Sequence, residues 1–257
     1  MKDTFHIALM QSDLAWENPS ENRNNFHKKI SSLTRNVDLV VLPEMFSTGF
    51  TMNAAPVAES MNGPTVAWMK ETARDSNAAL AGSLIIEENG KYYNRFVFAH
   101  PSGKTDHYDK RHTFTLAGEH KVYASGKAQQ IVTYEGWEFC LQVCYDLRFP
   151  VWSRNTKYYD VILYVASWPE PRITAWDALL KARAIENMCY CTGVNRTGTD
   201  ANGHAYPGHS AVYDALGNTL VYSEKEAVLY ASLQKDHIRE NRERFRFLED
   251  RDAFTLG

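Results

Sequence analysis

The chain has 257 residues, 44% of them hydrophobic, and 28 Lys and Arg set against 31 Asp and Glu leave a formal net charge of −3. That is the composition of a soluble globular protein, long enough to bury a large core as one domain. Neither nucleic acid nor an anionic membrane is an expected partner, because phosphate binding needs clustered Lys and Arg, and the stretch Arg239–Arg246 is short and mixed with Glu. Met1-Lys2-Asp3 precedes only a short apolar run, Phe5–Met10, which does not read as a secretory leader, and no apolar run approaches the roughly 18 residues of a membrane span. The four cysteines, Cys140, Cys144, Cys189 and Cys191, do not form the dense pattern of a secreted disulfide framework. They also lack the His neighbours of a zinc site, so free thiols in a reducing cytoplasm and no metal are expected.

In chain order, Phe5–Gln11 reads as a strand, and Asn18-Pro19 supplies a cap and a first-turn proline for a helix carrying Phe26, Ile30 and Leu33 on one face. Asp38–Leu42 is a buried strand that runs into Pro43 and Glu44. Gly63-Pro64 opens a helix to about Ser76. Ala79–Ile86, Tyr92–Ala99 and Thr105–Tyr108 then read as strands separated by Asn89-Gly90 and Pro101-Ser102-Gly103. In the second half Gln130–Tyr134 and Glu138–Cys144 flank a turn at Glu135-Gly136. A helix is expected over Pro150–Lys157, a buried strand over Val161–Val165 and a helix over Ala175–Asn187. Met188–Val194, Ser210–Tyr213, Thr219–Tyr222 and Val228–Leu233 complete the strands. Such units predict an α/β protein with mixed sheets under helical cover.

Three reactive side chains stand at or just beyond strand ends: Glu44 after LVVLP, Lys110 after HYD, and Cys144 after FCLQV. A thiolate can attack a carbonyl, a carboxylate can move protons, and an ammonium can hold an oxyanion. Each alone has a plainer role: an inert buried thiol, a loop-capping carboxylate, a solvated lysine.

The strings LPEMFSTGF (Leu42–Phe50), YDKRHTF (Tyr108–Phe114) and CYDLRFP (Cys144–Pro150) together resemble the nitrilase superfamily of carbon–nitrogen hydrolases, and in the same order. KARAIEN (Lys181–Asn187), VNRTG (Val194–Gly198) and GHSAVYDALG (Gly208–Gly217) extend the resemblance over nearly the whole chain. It implies a four-layer αββα sandwich that dimerises through helices near the site, and metal-free and cofactor-free hydrolysis of a small amide. It also implies Cys144 as nucleophile, Glu44 as general base, Lys110 as oxyanion cation and Glu119 as a second glutamate beside them. The N–H of Tyr145 would be a second oxyanion donor. Asp146 and Arg148 are expected to pair and fix the turn after the nucleophile, with substrate binding as the other role for Arg148; His112 is the partner that a Cys-His enzyme would need.

Among branches of the superfamily, the strings most resemble the ω-amidases, which hydrolyse the terminal amide of 2-oxoglutaramate and 2-oxosuccinamate. A deaminated glutathione amidase, an N-carbamoyl amide hydrolase and a catalytically silent scaffold are the alternatives. A substrate with a distal carboxylate calls for a cation, and Arg172 in SWPEPRITAW is the first candidate. Phe46, Phe114, Trp168 and Trp176 are candidates for the pocket wall, with the core as the other place for each.

Overall fold

The protein is described here from a computed structural model covering residues 2–256. Its elements, in order, are β1 (Thr4–Gln11), α1 (Pro19–Ser31), β2 (Leu39–Val41), α2 (Pro64–Ser76), β3 (Ala79–Glu88), β4 (Lys91–Ala99), β5 (Thr105–Asp109), β6 (Ile131–Tyr134), β7 (Trp137–Val143), α3 (Pro150–Ser153), β8 (Val161–Ala166), α4 (Ile173–Asn187), β9 (Tyr190–Asn195), β10 (Thr197–Thr199), β11 (Ala205–Pro207), β12 (Ser210–Tyr213), β13 (Thr219–Ser223), β14 (Ala227–Gln234) and α5 (Lys235–Phe245). They build two six-stranded mixed sheets, ordered β14-β1-β2-β3-β4-β5 and β13-β12-β9-β8-β7-β6, and a small β10-β11 ribbon. In the first sheet β1, β2 and β3 are parallel and β4 and β5 follow antiparallel. β7, β8 and β9 repeat the parallel core in the second. β14 returns to the first sheet, antiparallel to β1 from Thr4↔Gln234 to Gln11↔Ala227, so the last strand ties down the first.

Side-chain alternation turns this topology into layers, since successive residues of a strand face opposite sides. Ile7, Leu9, Val41, Ala81 and Phe98 of the first sheet meet Phe139, Leu141, Val143, Leu163 and Val165 of the second in one buried cluster. The intervening residues Ala8, Met10, Val40 and Leu80 face outward onto Phe26 and Ile30 of α1 and Val66, Met69 and Ala73 of α2. On the far side Ile162, Tyr164 and Cys191 pack against Trp176, Leu180 and Ala184 of α4. The order is helix, sheet, sheet, helix, the four-layer α/β sandwich that the sequence led us to expect.

Local chemistry sets the boundaries. The Asn18 side chain accepts from the Glu21 N–H with Pro19 in the first turn, and α2 begins at Pro64 and ends on left-handed Asn77. The helix expected over Pro150–Lys157 stops at Ser153, because buried Asn155 bonds Tyr159 and Asn187 and offers the chain non-helical partners. The strand expected from Met188 begins at Tyr190, because Met188 closes α4 at φ 45°. The basic stretch at Arg239–Arg246 lies largely within α5, held by Ile238 against the inter-sheet core. Among the described residues no helix is long and apolar enough to cross a membrane.

Candidate active site

Each reactive side chain sits where regular structure ends and the backbone can turn. Glu44 follows β2 beyond Leu42-Pro43; the next residue, Met45, is left-handed at φ 43° and donates its N–H to Ser83 Oγ of β3 at 2.9 Å. Lys110 is the first residue past β5, and its N–H donates to the Asn94 carbonyl of β4 at 3.0 Å. Cys144 is the first residue past β7 and opens a 3-10 turn, Cys144–Arg148, at φ 45°, a left-handed conformation that costs an ordinary residue about 1–2 kcal/mol. Glu119 opens a separate 3-10 turn, Glu119–Lys121, after left-handed Gly118.

The structure brings Glu44, Lys110 and Glu119 into contact and sets Cys144 on the same cavity as Lys110. Lys110 Nζ donates to Glu44 Oε1 at 2.9 Å and to Glu119 Oε1 and Oε2 at 3.0 and 2.9 Å. Asn94 Nδ2 donates to Glu44 Oε1 at 2.8 Å and Glu119 Oε1 at 3.2 Å, and Ser167 N–H donates to Glu44 Oε2 at 2.8 Å. Glu44 and Glu119 are fully buried and Lys110 nearly so. Buried charges survive only when paired and hydrogen-bonded, and here two carboxylates share one ammonium.

That balance decides the protonation states. Burial would push the Lys110 ammonium down, but the carboxylates of Glu119 and Glu44 more than reverse this and hold it well above its usual range. Burial raises Glu119, and Lys110 opposes the shift. The Cys144 thiol is pushed well up, first by burial and then by the Glu44 carboxylate, with Lys110 pulling the other way. Lys110 thus offsets only part of the upward push on the Cys144 thiol.

Cys144 opens onto a cavity of about 560 Å³. Lys110, Tyr145, Phe114, Trp168 and Arg172 line it, as does Arg148. Arg148 lies 5.0 Å over the Trp168 ring and Arg172 5.0 Å over the Phe114 ring. Two expectations are corrected. Phe46 is not a wall: it is fully buried on the outer face of the first sheet, 5.8 Å from the Phe26 ring and 5.9 Å from Trp68. From this loop it is Phe50, four residues on, that lines the cavity. Trp176 is likewise core, its Nε1 donating to the His209 carbonyl. The second correction concerns Asp146, whose hydrogen bonds run to Tyr108, His112 and Val143, leaving Arg148 to the cavity. His112 is thus engaged by Asp146.

Sequence reasoning missed Asn94 and Ser167, which satisfy the Glu44 carboxylate, and Trp16 and Tyr206, which close the cavity from the loop after β1 and from β11. Only Asn94 leaves a trace, a polar residue within the apolar run of β4. The others are juxtaposed by tertiary folding.

The match to known proteins extends over the whole fold. The sequence model of the carbon–nitrogen hydrolase family matches residues 6–243. The chain is 43% identical over 255 residues to an ω-amidase, YafV, of Yersinia enterocolitica, covering 98% of this chain and 99% of that one. It is 32% identical to a 2-oxoglutaramate amidase of Bacillus subtilis, covering 95% and 96%. A carbon–nitrogen hydrolase superfamily protein from Xanthomonas campestris, solved with an arsenic adduct in its active site, superposes with a TM-score of 0.97 at 41% identity over 100% of both chains. The chain belongs to the carbon–nitrogen hydrolase family.

Proposed function

We propose that this chain is an ω-amidase, releasing ammonia from the terminal amide of short 2-oxo-dicarboxylate monoamides such as 2-oxoglutaramate. The observation that carries the reading is the buried Glu44–Lys110–Glu119 network, whose Lys110 lines the same cavity as Cys144. The near full-length similarity to an ω-amidase and a 2-oxoglutaramate amidase supports the substrate class.

The chemistry follows from the charges. The Cys144 thiol proton passes to Glu44 as sulfur bonds to the amide carbon. The carbonyl oxygen takes the negative charge and is held by the Lys110 ammonium and the Tyr145 N–H. Lys110 is suited to this because its two carboxylates keep it charged. Protonated Glu44 gives its proton to the nitrogen, the C–N bond breaks and ammonia leaves a Cys144 thioester. Water then attacks that thioester, Glu44 takes its proton, and collapse returns the thiol and the free carboxylate. Glu119 anchors Lys110 through both oxygens. Arg172 and Arg148, guanidiniums with no carboxylate partner among the described residues, face the cavity and suit the carboxylate and oxo group at the far end of the substrate.

The test is ammonia release from 2-oxoglutaramate and 2-oxosuccinamate beside glutamine, asparagine, an N-carbamoyl amino acid and a nitrile, with Cys144→Ala in parallel. Turnover of the oxo-amides that Cys144→Ala abolishes is the expected result. Turnover of another amide alone overturns the substrate assignment, and oxo-amide turnover that survives Cys144→Ala overturns the nucleophile.

A further inference from the structure

We infer that Asp146 is a positioning residue that locks the lysine station and the nucleophile station together, with His112 as its outer arm. The carboxylate is fully buried and its oxygens take four hydrogen bonds. Oδ2 accepts the Val143 N–H at 3.0 Å and the Tyr108 hydroxyl at 2.8 Å. Oδ1 accepts the His112 backbone N–H at 2.9 Å and the His112 ring Nδ1 at 2.8 Å. The residue before Cys144 and the residues two before and two after Lys110 therefore all converge on one side chain, itself two residues after Cys144.

The surrounding contacts extend the clamp. The Tyr108 hydroxyl also accepts Trp152 Nε1 at 3.0 Å and the Arg111 N–H at 3.1 Å, so the loop leaving Lys110 folds back over the same point. His112 stacks on Phe149 with ring centroids 3.7 Å apart and planes 6° apart. Phe149 closes the 3-10 turn that begins at Cys144. The bond from Val143 to Asp146 spans Cys144 and holds it in its left-handed conformation. Nothing within β5 or β7 alone sets the distance from Lys110 Nζ to Cys144 Sγ; they lie on different sheets, and Asp146 bonds to the segments on both sides. An acceptor-only carboxylate is required because every group pointing at it is a donor, and an amide would turn a donor toward donors.

This inference rests on the amidase reading for its turnover measurement, so the experiment carries a second readout that needs no substrate: the rate at which iodoacetamide alkylates Cys144. Asp146→Asn and His112→Ala are compared with His112→Asn, whose amide can reproduce the donor at Nδ1. A misplacement of about 1 Å costs roughly 100-fold in rate. We expect kcat to fall about 100-fold in Asp146→Asn and about tenfold in His112→Ala, with KM within twofold and recovery in His112→Asn, as scaled from that sensitivity. Alkylation should slow in the same order, because sulfur loses its nearby cation. His112 is partly exposed, so His112→Ala keeps the test available if Asp146→Asn does not fold. Unchanged kcat and alkylation in His112→Ala, a change in KM alone, or a loss of melting temperature with neither rate altered each overturns the inference. Slowed alkylation with no oxo-amide turnover in the wild type would uphold the clamp and reject the substrate.

Discussion

Two carboxylates and one ammonium around a thiol set the character of every residue in the site. Because Glu119 raises the thiol and also anchors Lys110, its two effects separate in one variant. Glu119→Gln is expected to lower kcat by about 10- to 100-fold through loss of electrostatic preorganisation, yet to speed iodoacetamide alkylation of Cys144 at neutral pH. Slower alkylation in that variant would show that Glu119 acts on sulfur only through the lysine. Glu44→Gln removes the proton acceptor and should cost about 10²- to 10⁴-fold in kcat, read in the same ammonia assay. Arg172→Met should instead raise KM for 2-oxoglutaramate with kcat changed little, since a uniform binding contact is lost; an unaltered KM would transfer the carboxylate to Arg148.

At the scale of elements, the site depends on how closely strands and loops approach. A Cβ on Gly126 would lie 2.0 Å from the Asp109 carbonyl oxygen, and the Gly126 N–H donates to the Lys110 carbonyl at 2.9 Å. Gly126→Ala must therefore move the end of β5, and it should lower both melting temperature and kcat. Phe46→Ala separates packing from catalysis in the other direction. Emptying its place between Phe26, Trp68 and the first sheet should cost about 3–5 kcal/mol, measured by urea unfolding, with KM of the folded fraction unchanged. Of the elements themselves, the long strands and the helices led by Pro19 and Pro64 were legible because period and caps are local. The 3-10 turns carrying Cys144 and Glu119 were not, since they are set by contacts such as Asp146 to His112 and the Glu119 carboxylate to the Phe114 N–H.

For the whole molecule, burial of thiols and phenols sets an alkaline limit. Burial pushes Cys140 up to about 12 and raises Cys189 and Cys191, and Tyr108, Tyr159 and Tyr164 are also raised by burial. The folded chain keeps these protons while the unfolded chain releases thiol protons from about pH 8.5 and phenol protons from about pH 10. Stability must then fall as pH rises through those unfolded values. Lys110 acts in the same sense, because a raised lysine contributes stability that is present below its unfolded value near 10.4 and is lost as pH rises. Melting temperature is expected to decline steadily above about pH 9, steepening above 10; a flat profile to pH 10.5 would show that these groups ionise within the folded state.

The sequence by itself determined an α/β protein with mixed sheets under helical cover, because hydrophobic period and caps are written along the chain, and its short motifs carried the resemblance that names the family and implies Glu44, Lys110 and Cys144 as a set. Only the tertiary structure decided that Phe46 is core and Phe50 wall, that Asp146 pairs with His112 rather than Arg148, and that Asn94 and Ser167 satisfy Glu44. Those relations join β2, β4, the Lys110 loop and the segment after β8. Distance between such segments is fixed when two sheets pack face to face, and no local pattern encodes it.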